Sequence, residues 1–267
     1  MKIDIKNLTF KYSDIEIFKN FNLSISEGEF VCLLGQSGSG KSTLLRIIAG
    51  LEVPERGKIL VNEKDIKSQK ENISMVFQDY TLFPWFTVGK NIFLSLKEKY
   101  PEKSKKDIED IILYYLDKVG LSKDVFQKYP FELSGGMKQR CAICQAFALG
   151  TEIMLLDEPF GALDAVNRFR LQNLITELWL EDKNNKRTIV FVTHDVDEAL
   201  LLSTNLYVLG KRPCNIIHSL EKEKQELYDR DEFYADPYFT EERDKILKKL
   251  YLDVEKRITE EETNEKR

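Results

Sequence analysis

Apolar and polar residues alternate over residues 1–10, the period-two pattern of a strand covered on one face. Phe30-Val31-Cys32-Leu33-Leu34 differs: it is apolar without a break, as in a strand buried on both faces. A glycine-rich turn follows. Leu44 to Ala49 then places apolar residues at helical spacing, and Gly50 stops the run. Lys58 to Val61 and Ile73 to Phe77 read as further strands. From about Val88 to Gly150 the spacing is helical. Ile92, Leu94 and Leu96 open it, Ile111, Ile112, Tyr115, Leu116 and Val119 continue it, and Pro101 with the charged stretch 102–110 separates two helices. Strands return with Ile153 to Leu156, Thr188 to Val192, Leu206 to Leu209 and Asn215 to Ile217, with helices over 165–181 and 195–203.

Strand and helix alternating around a helical insert, about 80–150, predict an α/β core with a mainly parallel sheet. Residues 221–267 form a densely charged extension. Within it Phe239, Ile246, Leu247, Leu250, Tyr251, Val254 and Ile258 fall on one helical face, predicting a short amphipathic helix, with disorder from Glu260 onward. Within 267 residues no apolar run approaches the ~20 that a membrane span needs. Met1-Lys2-Ile3-Asp4 leads directly into the first strand, with no secretory apolar region, so a cytosolic chain that meets membranes through partners is expected. The net charge of −5 argues against a general nucleic-acid binder.

The chemistry starts at the glycine-rich turn. Gly35-Gln36-Ser37-Gly38-Ser39-Gly40-Lys41-Ser42 fits G-x-x-x-x-G-K-[ST], between a buried strand and an amphipathic helix whose next residue is Thr43. Glycines let successive N–H groups curl toward phosphate oxygens, and the helix N-terminus adds partial positive charge. In this reading Lys41 reaches the β- and γ-phosphates and the Ser42 hydroxyl ligates Mg²⁺. A second feature is Asp157-Glu158, two carboxylates at the end of the buried strand Ile153–Leu156, where open α/β sheets bind ligands. Asp157 suits a Mg²⁺ shell, and Glu158 suits polarising a water for attack on the γ-phosphate. Upstream lies Leu133-Ser134-Gly135-Gly136-Met137-Lys138-Gln139-Arg140, a second anion cradle of serine, two glycines and a helix start. One chain cannot easily use two cradles on one nucleotide, so the spare one makes sense on a partner's nucleotide.

With that string the sequence strongly resembles the ABC ATPases, the nucleotide-binding subunits of ABC transporters. L-S-G-G-x-x-Q-R is that family's signature, and it precedes Asp157-Glu158-Pro159 here. Other stations occur in the family's order over about residues 1–220. Tyr12 lies where an aromatic stacks on adenine, Gln78 matches the Q-loop glutamine, Gly161-Ala162-Leu163-Asp164 the D-loop, and His194 the switch histidine. The resemblance implies a P-loop NTPase of the ABC ATPase fold: a RecA-like, mainly parallel core, an antiparallel β subdomain and an inserted α-helical subdomain. It implies a head-to-tail dimer sandwiching two ATP molecules. Each lies between one chain's phosphate loop and the other chain's Ser134-Gly135-Gly136, with Asp164 also at the nucleotide. Gln78 would sense Mg²⁺ and the attacking water, and His194 would hold the γ-phosphate and orient the water of Glu158. Implied partners are integral membrane permease subunits and, indirectly, an extracytoplasmic solute-binding protein. The implied place is the cytoplasmic face of the membrane, peripherally attached.

The Pro84-Trp85-x-Thr87-Val88 form, with Asp157-Glu158-Pro159-Phe160-Gly161 and Val208-Leu209-Gly210-Lys211-Arg212-Pro213, looks like the nitrate/sulfonate/taurine branch of bacterial importers. Departures are mild: Gln145 stands where the family commonly has arginine, and Met137 replaces a frequent glutamine. The aromatic segment Leu82-Phe83-Pro84-Trp85-Phe86 either docks a membrane subunit or packs the core of the helical insert. Cys141-x-x-Cys144 reads as packing rather than a redox or metal motif, and Lys211-Arg212 as a solvated turn. Rival readings are a non-transport ABC ATPase, whose long coiled-coil or zinc inserts are missing here; a small-molecule kinase, which has no use for Ser134-Gly135-Gly136; and a module that binds ATP without cleaving it, against which Lys41, Asp157, Glu158 and His194 all speak.

Overall fold

The computed structural model describes residues 1–79, 82–161, 163–181, 186–222 and 230–265, with the side chains of 232 and 257–265 left out. Along the chain the elements are β1 (Ile3–Tyr12), β2 (Ile15–Ile25), β3 (Phe30–Gly35), α1 (Lys41–Ile48), β4 (Arg56–Val61), β5 (Lys64–Asp65), β6 (Ile73–Val76), α2 (Val88–Lys99), α3 (Lys105–Lys118), α4 (Gly135–Ala148), β7 (Ile153–Asp157), α5 (Ala165–Leu180), β8 (Thr188–Thr193), α6 (Val196–Leu202), β9 (Asn205–Leu209), β10 (Ile216–Glu221), α7 (Arg230–Ala235) and α8 (Pro237–Glu265). They group into two units, Met1–Lys70 with Thr188–Arg267, and Glu71–Arg187.

The first unit holds an antiparallel sheet in the order β2-β1-β4-β5. The alternation in β1 buries Ile3, Ile5, Leu8 and Phe10. Strand β2 escapes a period-two reading because its buried positions run Ile17, Phe18, then Phe21, Leu23, Ile25. A register shift against β1 lies between Phe18 and Phe21, and Asn20 there has φ 50°, so a bulge resets which face points inward. The unit also carries β3 flanked by parallel neighbours β8 and β9, with β10 antiparallel to β9. Every residue of β3 and β8 is buried, as their unbroken apolar runs require. Helices α1 and α6 pack on both strands, and α8 packs on α6 and β10. Leu34 pairs with Thr193, so β3 and β8 end side by side.

In the second unit β6 and β7 pair in parallel, Val76 opposite Leu156. Helices α2, α3 and α4 pack together through Ile92 and Leu96, Ile108, Ile112 and Leu116, and Cys141, Ile143, Cys144 and Phe147. Ser104 starts α3 with a reciprocal cap: the Asp107 N–H donates to Ser104 Oγ and the Ser104 N–H to Asp107 Oδ2, at 3.2 and 3.1 Å. Both cysteines are packing residues. Burial pushes the Cys141 thiol up to about 12 and raises Cys144 as well. Among the described residues no His, Cys, Asp and Glu group is suited to a metal.

The extension departs from the sequence reading. Helix α8 is 29 residues long, not short, and stays helical past Glu260 to Glu265. Its Glu, Lys and Arg residues are good helix formers and carry the helix beyond its apolar face. Of that face Phe239 and Ile246 are buried, Leu250 and Val254 half-buried, and Leu247 and Tyr251 exposed. The side chain of Ile258 lies outside the described residues. Among the described residues no helix is long and apolar enough to cross a membrane.

Candidate functional site

The phosphate loop joins β3 to α1 in the first unit. Gly35 is needed for space, since a Cβ there would stand 2.8 Å from the Leu209 carbonyl oxygen. Gly40 is needed for its backbone: it starts α1 at φ 103°, left-handed, with no side chain capping the helix. The start of α1 thus brings the positive end of its dipole to the loop, the usual basis of anion binding at a helix start. The ammonium of Lys41, 4% exposed, donates to the carbonyl oxygens of Gly35 and Gln36 at 2.8 and 2.9 Å. Gln36 and Ser37 are exposed, Ser39 is buried, and Ser42 and Thr43 lie half-buried in the first turn of α1.

His194 follows β8 directly. Because Thr193 pairs with Leu34, this exposed histidine leaves the sheet at the same edge as the phosphate loop. Asp195 behind it caps α6 by accepting the Glu198 N–H at 3.1 Å. Tyr12 ends β1 half-wet. Its hydroxyl donates to Glu52 at 3.0 Å, and its ring meets Phe10 edge-on.

The second unit repeats this logic at another pair of strand ends. Asp157 closes β7, 3% exposed, and Glu158 follows it; Gln78 lies exposed just past β6, whose Val76 is paired with Leu156. Glu158 has φ 46°, a left-handed conformation that costs a non-glycine residue about 1 kcal/mol. Such strain is worth holding where it aims a side chain.

Ser134 caps α4, accepting the Met137 N–H at 3.3 Å, and is exposed with Gly135. Among the described residues nothing lies within 4 Å of a Cβ built on Gly135. Its own fold therefore does not demand glycine there. Asp164 caps α5: Asn167 donates its N–H at 2.9 Å and its amide at 2.6 Å, and these bonds hold the carboxyl below the usual range. Ala162 of the D-loop string lies outside the described residues. Gln145 donates to Ser95 Oγ at 2.9 Å in place of any arginine ion pair.

The aromatic segment after Gln78 is on the surface. Trp85 is 65% exposed, and its ring lies 5.5 Å from Phe83 and 6.2 Å from Phe86. Sequence reasoning missed what holds it. Asn91, buried on α2, accepts the Phe83 N–H at 2.7 Å and donates to the carbonyls of Phe83, Phe86 and Thr87 at 3.2, 3.1 and 3.0 Å. An asparagine on an amphipathic helix gives no signal of this in sequence. The Lys211-Arg212 turn also differs from its reading. Lys211 is half-buried and Arg212 exposed, yet Arg212 Nε donates to the Gly38 carbonyl at 2.7 Å.

The sequence profile of the ABC transporter family matches residues 18–161. The nitrate import ATP-binding protein NrtD of Synechocystis is 44% identical over 210 residues, 79% of this chain and 77% of its own. The aliphatic sulfonates import ATP-binding protein SsuB of Bacillus cereus is 40% identical over 210 residues, 78% and 79% of the two chains. The dimeric ABC transporter cassette MJ0796, also solved after hydrolysis with ADP and Pi, superposes with a TM-score of 0.75 at 32% identity over 83% of this chain and 99% of its own. A phosphate loop, an acidic strand end and a serine-capped signature helix thus occur in a chain that belongs to the ABC transporter family, as an ATP-hydrolysing subunit.

Proposed function

We propose that this protein powers import of a small anionic solute, such as nitrate, a sulfonate or taurine, as a head-to-tail dimer bound to integral membrane permease subunits. Similarity to nitrate and sulfonate import proteins supports the solute class. The observation that carries the membrane partnership is the exposed Phe83–Trp85 surface. A wet aromatic cluster held from beneath by a buried asparagine is built to be covered, and a helix of the permease is a fitting occupant. The chain would then sit peripherally on the cytoplasmic face, meeting a solute-binding protein only through the permease. Residues 1–220 form the ATPase domain in this reading, with about 80–150 as its helical subdomain and 221–267 as an extension.

The open space at Gly135 supports pairing, since a second chain's nucleotide can approach that backbone closely. Ser134, Gly135 and Gly136 of one protomer would donate to the γ-phosphate held by the other's phosphate loop, with Asp164 close by. Tyr12 would stack on adenine, and the backbone of Gly35 to Thr43 with Lys41 would cradle the phosphates. Ser42, Gln78 and Asp157 offer hydroxyl, amide and carboxylate oxygens, the hard donors that suit Mg²⁺. A magnesium ion held there supplies neutralising charge to the phosphate oxygens. Glu158 takes the proton of the attacking water as the bond to the leaving ADP oxygen breaks, and His194 orients that water.

The test replaces Glu158 by Gln. Turnover is expected to fall about 10²–10⁴-fold, with ATP binding retained and the dimer accumulating on sedimentation with ATP. Equal turnover in parent and variant removes Glu158 as the base. Reconstitution with a co-purifying polytopic membrane protein tests the importer: hydrolysis should rise when a solute-loaded binding protein is added, and a flat response rejects import.

A further inference from the structure

The turn after β9 lies against the phosphate loop and is anchored on several sides. The Gly210 N–H donates to Asn215 O at 2.9 Å, closing it, and the Cys214 N–H donates to Ile17 O at 2.8 Å, tying it to β2. Ile17 and Phe18 in turn underlie the loop, 3.0 and 3.1 Å from where a Gly40 Cβ would stand. From this turn Arg212 Nε donates to Gly38 O at 2.7 Å. On its other side the Lys211 N–H donates to Asp253 Oδ2 at 2.8 Å, and a Cβ on Gly210 would come within 3.0 Å of Asp253 Oδ1. Asp253 belongs to α8, in the charged extension.

We infer that Arg212 is a positioning residue for nucleotide binding, and that Asp253 extends its hold to the C-terminal helix, so that α8 sets the shape of the phosphate loop through residues 210–213. The physics is that of one peptide plane. Gly38 C=O and Ser39 N–H share it and point in opposite directions. A cationic donor that keeps the carbonyl turned out keeps the N–H turned in, where it closes the 36–39 turn on Gln36 O at 3.2 Å. Gly38 has φ 78° and no side chain to restrict its backbone, so a clamp from outside has something to restrain. Asp253 acts one step back, fixing the backbone from which Arg212 reaches.

This inference rests on the phosphate loop binding nucleotide, and the experiment separates the two. Titrations of the full chain with a fluorescent ATP analogue compare the parent with Arg212→Ala, Arg212→Lys, Asp253→Ala, the Arg212→Ala/Asp253→Ala double variant and Lys41→Ala, with amide hydrogen exchange followed at residues 36–40. Arg212→Ala should weaken binding about five- to tenfold, as loss of one solvent-exposed hydrogen bond of ordinary net strength does. Arg212→Lys should recover part of that, and Asp253→Ala should weaken binding by a smaller factor. The double variant should be no weaker than Arg212→Ala, because both act through one contact. Exchange at 36–40 should quicken in Asp253→Ala, more than 200 residues away in sequence, which loss of a merely local role in α8 would not produce. Unchanged affinity and exchange in Asp253→Ala, or additive effects in the double variant, overturn the inference. Normal binding by Lys41→Ala would instead reject the loop as the nucleotide site, and the exchange measurement would still decide whether Arg212 and Asp253 control its shape.

Discussion

Replacing Asn91 by alanine should loosen the aromatic surface without disturbing the ATPase fold. The side chain makes four hydrogen bonds to the segment 83–87. Two of the three carbonyls it serves have other donors: Phe83 O keeps the Phe86 N–H at 3.2 Å, and Thr87 O keeps the Asn91 N–H at 2.9 Å. The groups that lose their side-chain partner outright are the Phe83 N–H and Phe86 O. At about 1 kcal/mol for each polar group left without its partner, the loss is about 2 kcal/mol. Asn91→Asp should cost more than alanine, because it keeps the acceptor for Phe83 N–H but sets carboxylate oxygens against three carbonyls at a buried position. The assay is acrylamide quenching and urea titration of Trp85 fluorescence with Trp179, the other tryptophan of the chain, replaced by phenylalanine in every sample. The surface transition should move to lower urea in the order parent, Ala, Asp, while basal ATP hydrolysis holds and stimulation by the permease falls. If Ala and Asp both shift it by less than about 0.5 kcal/mol, the asparagine does not hold the segment and the reasoning fails.

Gly135→Ala should leave the thermal midpoint within about 2 °C of the parent, since among the described residues the new methyl group meets nothing within 4 Å beyond its own helix turn. In the Glu158→Gln background it should reduce ATP-dependent dimer several-fold by sedimentation; undiminished dimer would count against that cradle facing a partner. Burial pushes the Lys222 ammonium down to about 8 from 10.5, so the unfolded chain binds the extra proton between those values and native stability rises with pH across them. The stability advantage of Lys222→Met over the parent should accordingly be largest below pH 8 and fade by about pH 10.5, and a pH-independent difference in urea midpoints would refute the assignment.

What the sequence discloses about this molecule depends on whether a residue's job is local. The phosphate loop is legible because every requirement lies within a few residues: a buried strand, glycines with special backbone angles, a helix start. The same holds for Ser134 and Asp164, whose capping bonds reach three residues onward. Strand β2 is not legible, because the bulge near Asn20 breaks the alternation that would reveal it. Asn91 and Arg212 are invisible for another reason. Each serves backbone groups through a folded contact, and a polar residue on a helix or turn reads as solvated whether or not it is holding something. Helix α8 shows the limit of periodicity: a clean apolar face in sequence is only partly covered in the fold.

The two carbonyls that hold Lys41 carry a consequence for how nucleotide arrives. An ammonium enclosed by protein is tolerable only while it has acceptors, and the oxygens of Gly35 and Gln36 are two of them. These oxygens act as internal substitutes for the guest, so entry becomes a swap of acceptors rather than the filling of a bare charge. The loop is thereby poised beforehand, and the share of affinity that Lys41 supplies reflects how much better a phosphate oxygen is than the amide oxygens it displaces. A swap that reverses as readily as it forms suits a motor that must release its products on every cycle.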